Sequence, residues 1–146
     1  MDVSNQLPTH VLNHLLNNED YCRRVIPYLQ KEYFEGTHAT VFDLIVKFVA
    51  KNNKLPTGKV LDLELRKIQA PDDVLNNAAK LVNEINIKSD IDTDYMIEET
   101  EKWCRDRAVY NAIMDSIQII DGKSQDQTDG AIPEILSKAL GVSFDQ

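Results

Sequence analysis

From Tyr95 to about Asp121 the chain runs without a proline or a glycine. The spacing predicts one uninterrupted helix, ~40 Å long at 1.5 Å per residue. That is too long to pack wholly against a domain of this size. Its apolar residues are also spread too widely for a simple amphipathic helix. Met96, Trp103, Tyr110 and Ile117 recur every seven residues, Val109, Ile113 and Ile120 form a second stripe, and Ala108 and Ala112 widen it. Beyond Arg107 most of the circumference is apolar, so the helix requires cover from more than one direction. A polar loop, GKSQDQTDG, follows, and then AIPEILSKAL with Ile132, Ile135, Leu136, Ala139 and Leu140 apolar. A long helix, a loop and a shorter helix make a helical hairpin.

The residues before this arm also carry helical spacing. Leu7, Val11, Leu12, Leu15 and Leu16 mark a first helix, capped by Ser4 or Asn5, with Pro8 tolerated in its first turn. A second runs from Asn18 through Tyr21 and Val25 until Pro27 ends it. Val41, Leu44, Ile45, Phe48 and Val49 share a face of a third. Thr57 caps a fourth, with Val60, Leu61, Leu65 and Ile68 inward. Pro71 opens a fifth, with Asp72 and Asp73 in its first turn and a core face of Val74, Leu75, Ala78, Leu81, Val82 and Ile85. No strand pattern and no internal repeat is evident. The expected architecture is all-α, a helical head over residues 1–89 and a hairpin arm over 90–146.

Composition narrows the function. There are 24 acidic residues against 16 basic ones in 146, a formal net charge of −8. Affinity for nucleic acid rests largely on Lys and Arg neutralising phosphates, so direct DNA binding is expected to be weak or absent. The densest basic pair, Arg23-Arg24, is preceded by Glu19 and Asp20. Cys22 and Cys104 stand alone, without the paired spacing of a structural zinc site. The start, MDVSNQLPTH, lacks the pattern of a signal peptide, and no apolar run reaches the length of a membrane span. These features fit a cytosolic protein with reduced thiols. The end, SFDQ, follows the last helix abruptly and reads as a cut from something longer.

Candidate chemical sites are few. Asp90, Asp92, Asp94, Glu98 and Glu101 match positions of a calcium loop, but Tyr95 stands where the sharp turn needs glycine. The acidic first turn of a helix, favoured by the macrodipole, explains them better. His10 and His14, four apart on a helix, lack the glutamate of a metalloprotease motif and read as part of an exposed polar face. PTGKV ends like a phosphate-binding loop, yet Asn53 replaces the first glycine and Val60 replaces the Ser or Thr. No catalytic, cofactor or metal site is assigned. Arg105 and Arg107 could pair along the helix with Glu98, Glu99 or Glu101. Arg107 lies on the seam with Trp103 and Tyr110, where an unpaired charge is costly. The candidate interface is therefore Trp103, Arg107, Tyr110, Ile113, Met114 and Ile117 on the long helix, with Ile135 and Leu136 on the facing one.

Three stretches carry a resemblance: EYFEGTHATVFDLIVKFVAKNNKLPTGKVLDLELRK in the head, EETEKWCRDRAVYNAIMDSIQII in the arm with its Arg107-Ala108 step, and GAIPEILSKALGVSFDQ at the end. Their order resembles the N-terminal domain of DnaB-type replicative helicases, and the last stretch resembles the T-even phage branch. The resemblance implies a domain whose arms pair and build a collar above a hexameric motor, supporting ring assembly and offering primase a docking surface in the primosome. It also implies a parent helicase moving 5′ to 3′ with a nucleoside triphosphate and Mg, in the cytoplasm of an infected bacterial host. The motor and its phosphate-binding loop are absent from these residues. Two alternatives remain: an unrelated helical adaptor that grips a partner helix with the same apolar arm, and a helical enzyme whose catalytic groups converge from distant positions.

Lacking a phosphate cradle, the isolated chain should bind no ATP and hydrolyse none. Titration calorimetry checks this, and stoichiometric nucleotide binding would overturn it.

Overall fold

Turn and cap chemistry sets the element order. In the computed structural model, which describes residues 6–123 and 127–144, seven α-helices follow one another and no strand occurs among the described residues. They are α1 (Leu7–Asn17), α2 (Glu19–Val25), α3 (Gly36–Asn52), α4 (Gly58–Leu65), α5 (Asp72–Ile85), α6 (Thr93–Ile120) and α7 (Ile132–Leu140). Short 3-10 turns at Ile26–Tyr28, Lys31–Tyr33 and Asp129–Ala131 join some of them. The all-α expectation holds. The chain divides into two compact units, Met1–Ile97 and Glu98–Gln146, and α6 passes through the division.

Several boundaries follow expected signals. Asn18 caps α2 by accepting from the Tyr21 N–H at 3.0 Å, and Thr57 caps α4 by accepting from the Val60 N–H at 3.1 Å. Pro71 precedes α5, and Asp72 and Asp73 occupy its first turn. Asp92 caps α6, its carboxylate accepting from the Tyr95 N–H at 3.0 Å. The caps expected at Ser4 or Asn5 lie outside the described residues, where Gln6 precedes α1 without a side-chain cap bond. α6 stops at Gly122, whose φ of 72° suits glycine. There the Lys123 N–H reaches Gln118 O at 2.9 Å and the Gly122 N–H reaches Ile119 O at 3.0 Å, a Schellman ending. The polar loop beyond continues through Ser124, Gln125 and Asp126, which lie outside the described residues.

In the first unit α1 is the central element, packing on α2, α3 and α5. Val11, Leu12 and Leu15 have no exposed surface, and burial of such side chains stabilises by about 1.5–3 kcal/mol each. Leu61, Ile85, Tyr21, Val25, Val41 and Ile45 are likewise fully buried in this unit. Two expectations need correction here. Phe42, absent from the expected face of α3, is buried and stacks on Phe34 with ring centroids 4.6 Å apart. Val74, placed on the core face of α5, is 37% exposed because it sits in the first turn, ahead of the buried stripe Ala78, Leu81, Val82 and Ile85.

Two polar residues of α1, Asn13 and His14, are also buried. His14 is only 2% exposed, so the exposed face expected for His10 and His14 is not what forms. His14 Nδ1 lies 2.9 Å from His10 O, and its ring meets Tyr21 edge-on at 5.3 Å. An α1 packed by three helices has little side left for solvent. Asn13 and Asn17 explain why polar residues are tolerated there. Asn13 Nδ2 donates to Ile85 O at 2.9 Å and Ile87 O at 2.6 Å, and Asn17 Nδ2 donates to Ile85 O at 2.8 Å. Carbonyls at the end of α5 have no intrahelical partner, and these amides supply one.

Asn13→Ala removes the side-chain donor to Ile87 O and one of the two to Ile85 O, and is expected to destabilise the fold by about 1–3 kcal/mol, read as a lower urea midpoint. A second expectation concerns acid. His38 is half-buried beside Thr9, its Nε2 2.8 Å from the Thr9 hydroxyl, and burial holds its pKa below the usual 6.5 despite the opposing field of Glu84. The unfolded chain then binds the proton more readily. The His38 contribution is intact above pH 6.5 and is lost as pH falls below it. His38→Gln should flatten the fall in urea midpoint between about pH 7.5 and pH 5.5; an unchanged slope would refute this account.

Candidate protein–protein interface on the long helix

The second unit holds most of α6 and all of α7. Along α6 four of the buried residues share one side: Cys104 at 0% exposure, Ala112 at 5%, Ser116 at 7% and Ile119 at 5%. They are eight, four and three residues apart in turn, spacings that keep to one helix face. Ser116 donates to Ala112 O at 2.7 Å, which lets a hydroxyl sit in this covered stripe. Small side chains allow a close neighbour there, as Ala139, the buried residue of α7, does on its helix.

The opposite face of α6 is bare. Tyr110 is 49% exposed, Ile113 47%, Met114 41% and Ile117 42%, and Ile120 beyond them is exposed too. At 100° per residue these positions cluster within one side of the helix, nearly opposite the buried stripe. Two opposed apolar faces account for the absence of simple amphipathic periodicity in this segment. Burying a large apolar side chain is worth roughly 1.5–3 kcal/mol, so a row of them left in water is a standing driving force for association.

Four of the eight expected interface residues, Tyr110, Ile113, Met114 and Ile117, thus share the exposed face. Arg107 borders it, half-buried, with its guanidinium carbon 4.8 Å from the centre of the Tyr110 ring. That cation–π contact holds the charge beside the apolar row. Ile135 and Leu136 are half-buried on α7. Trp103 lies one heptad before Tyr110 but is only 7% exposed, which leaves its indole little surface to offer.

Arg105 and Glu101 have a different task from the intrahelical pairing expected of Arg105. Arg105 Nε donates to Val142 O at 3.0 Å, and the Glu101 carboxylate accepts from the Phe144 N–H at 2.6 Å and the Ser143 hydroxyl at 3.4 Å. The chain leaving α7 is thereby tied back to α6, antiparallel to it. Sequence reasoning missed this clasp because its acceptors are backbone atoms, which leave no pattern in the residue types.

The remaining candidates are also placed. Asp92 is the cap of α6, Asp94 lies 3.4 Å from Arg24, and Glu101 holds Phe144. Among the described residues no group of three His, Cys, Asp or Glu side chains is close enough to hold a metal ion. Gly58, from the PTGKV stretch, is the buried first residue of α4. Both thiols are buried, and burial pushes them up, Cys22 to about 11 and Cys104 to about 12, so they stay protonated at neutral pH and are poor nucleophiles. Among the described residues no helix is long and apolar enough to cross a membrane.

No family model matches the chain. The DnaB-like replicative helicase of Enterobacteria phage T4 is 30% identical to it over 144 residues, an alignment taking in 92% of this chain. The chain spans 30% of that helicase's length. An all-helical fold and similarity along nearly the whole chain relate this protein to the DnaB-like replicative helicases of the phage type.

Proposed function

We propose that this chain is the N-terminal assembly and collar domain of a phage replicative helicase, supporting ring formation and giving primase a place to dock. The similarity supports a helicase-related role. The observation that carries the finer reading is the bare apolar face of α6, with Tyr110, Ile113, Met114 and Ile117 all more than 40% exposed. A symmetric dimer covers such a face by using the same patch twice. Chemistry would then reside elsewhere in the parent protein, in a motor using a nucleoside triphosphate and Mg to move 5′ to 3′. This domain would contribute geometry, working in the cytoplasm of the infected host. Its net charge of −8 suits a domain that holds protein partners and leaves DNA to other parts of a hexamer.

The test is association. Wild-type chain should sediment as a dimer at micromolar concentration. Ile117→Glu places a charge in the middle of the face and should yield monomers whose helical circular-dichroism signal and melting are preserved. A wild type that remains monomeric at high concentration would overturn the assembly reading, as would a variant that unfolds without changing oligomeric state. Primase docking is tested separately, by titrating labelled phage primase with the dimer. Absence of binding at tens of micromolar would remove that part of the proposal.

A further inference from the structure

In the first unit a hollow of about 50 Å³ opens between α2 and the end of α3. Its walls are largely apolar: Cys22 of α2 and Ile26 just after that helix, with Val49 of α3 and Leu55 beyond it. The way α3 ends shapes the space. Asn53 adopts a φ of 52°, and its N–H bonds Val49 O at 2.8 Å, so the helix stops one turn after Val49 and the chain turns through Lys54 to Leu55. The rim is charged. Arg23 and Glu19 both line it, joined at 2.6 Å, and largely cancel each other. Lys54 also lines it, is exposed, and has no ion-pair partner among the described residues. The surrounding sequence adds to its field. Residues 44–61 contain Lys47, Lys51, Lys54 and Lys59 and no acidic residue, in a chain of net charge −8. Lys47 pairs with Asp43 at 2.8 Å, whereas Lys51 and Lys59 are exposed within a few residues of Lys54.

We propose that this hollow docks a short acidic peptide segment of a partner protein, with one aliphatic side chain seated among Cys22, Ile26, Val49 and Leu55 and a neighbouring carboxylate paired with Lys54. Size selects the anchor. A cavity of about 150 Å³ holds a benzene ring, and this one has about a third of that room, enough for the end of a leucine, isoleucine, valine or methionine and too little for an aromatic ring. Charge selects the flanks. The acidic chain as a whole repels an anionic segment, and the acid-free stretch carrying Lys51, Lys54 and Lys59 attracts it, which steers encounter to this part of the surface. A single strand of nucleic acid is anionic too. No aromatic side chain lines the hollow to stack a base, and one lysine on its rim neutralises few phosphates, so the peptide is the better occupant. The site lies wholly within the first unit and does not depend on the assembly reading of α6.

Peptide titration followed by amide NMR of the whole chain tests the site. The probe is a short peptide of aspartates and glutamates around a single leucine. The amide signals of Arg23, Ile26, Asn53, Lys54 and Leu55 should move together, with a Kd of about 100 µM. Replacing the peptide's leucine by alanine should weaken binding about tenfold. Lys54→Glu, at an exposed turn, should weaken it about fivefold at low salt and leave the helical circular-dichroism signal unchanged. Val49→Met, which fills the hollow from within and keeps the charges, should abolish the advantage of leucine over alanine. A peptide that moves none of these signals at about 2 mM would overturn the proposal, as would one that binds equally well with leucine or alanine. An oligothymidylate that moves the same signals at lower concentration than the peptide would also overturn it, in favour of nucleic acid. None of these outcomes bears on the sedimentation of the wild type, so the assembly reading stands or falls separately.

Discussion

The two-sidedness of α6 is the constraint on which the second unit is built. A helix whose apolar residues lie on opposite faces cannot be satisfied by one neighbour. In this chain one face, from Cys104 to Ile119, is covered, and the other, from Tyr110 to Ile120, is not. The covered face uses small residues, Ala112 and Ser116, while the bare face uses Tyr, Ile and Met. That division matters physically. Small residues permit a close neighbour, whereas large ones left in water expose apolar area.

The first unit solves a different problem. Its central helix α1 packs against three others, so residues that would normally face water are drawn inward with the leucines. Asn13 and Asn17 make this workable by donating to carbonyls at the end of α5, and Asn18 serves both as the cap of α2 and as a donor to the Thr93 hydroxyl at 2.9 Å. The asparagines of NHLLNN are thus structural connectors between α1, α2, α5 and the start of α6, all within this unit. A run of such residues on a helix suggests a solvated face until the neighbouring helix ends are known.

The second unit gains rigidity from its polar contacts as well as from its buried stripe. The clasp from Glu101 and Arg105 to residues Val142, Ser143 and Phe144 adds to that rigidity by tying the chain after α7 to α6.

The sequence by itself determined the helical class and the succession of helices, because periodicity, caps and helix stops are local. Asn18, Thr57, Asp92 and Gly122 act on backbone groups within a few residues of themselves. The spacing singled out Tyr110, Ile113, Met114 and Ile117, which are exposed, but equally Trp103, which is buried, and Arg107, Ile135 and Leu136, which are half-buried. Only the tertiary structure decided which side of α6 would be covered, the side with Ala112 and Ser116 or the side with Tyr110, Ile113, Met114 and Ile117. It alone buried His14, exposed Val74, withdrew Trp103 from the bare face and closed the hairpin through backbone acceptors. Each of these depends on where a distant helix or its terminus lies, and a residue's identity carries no record of that.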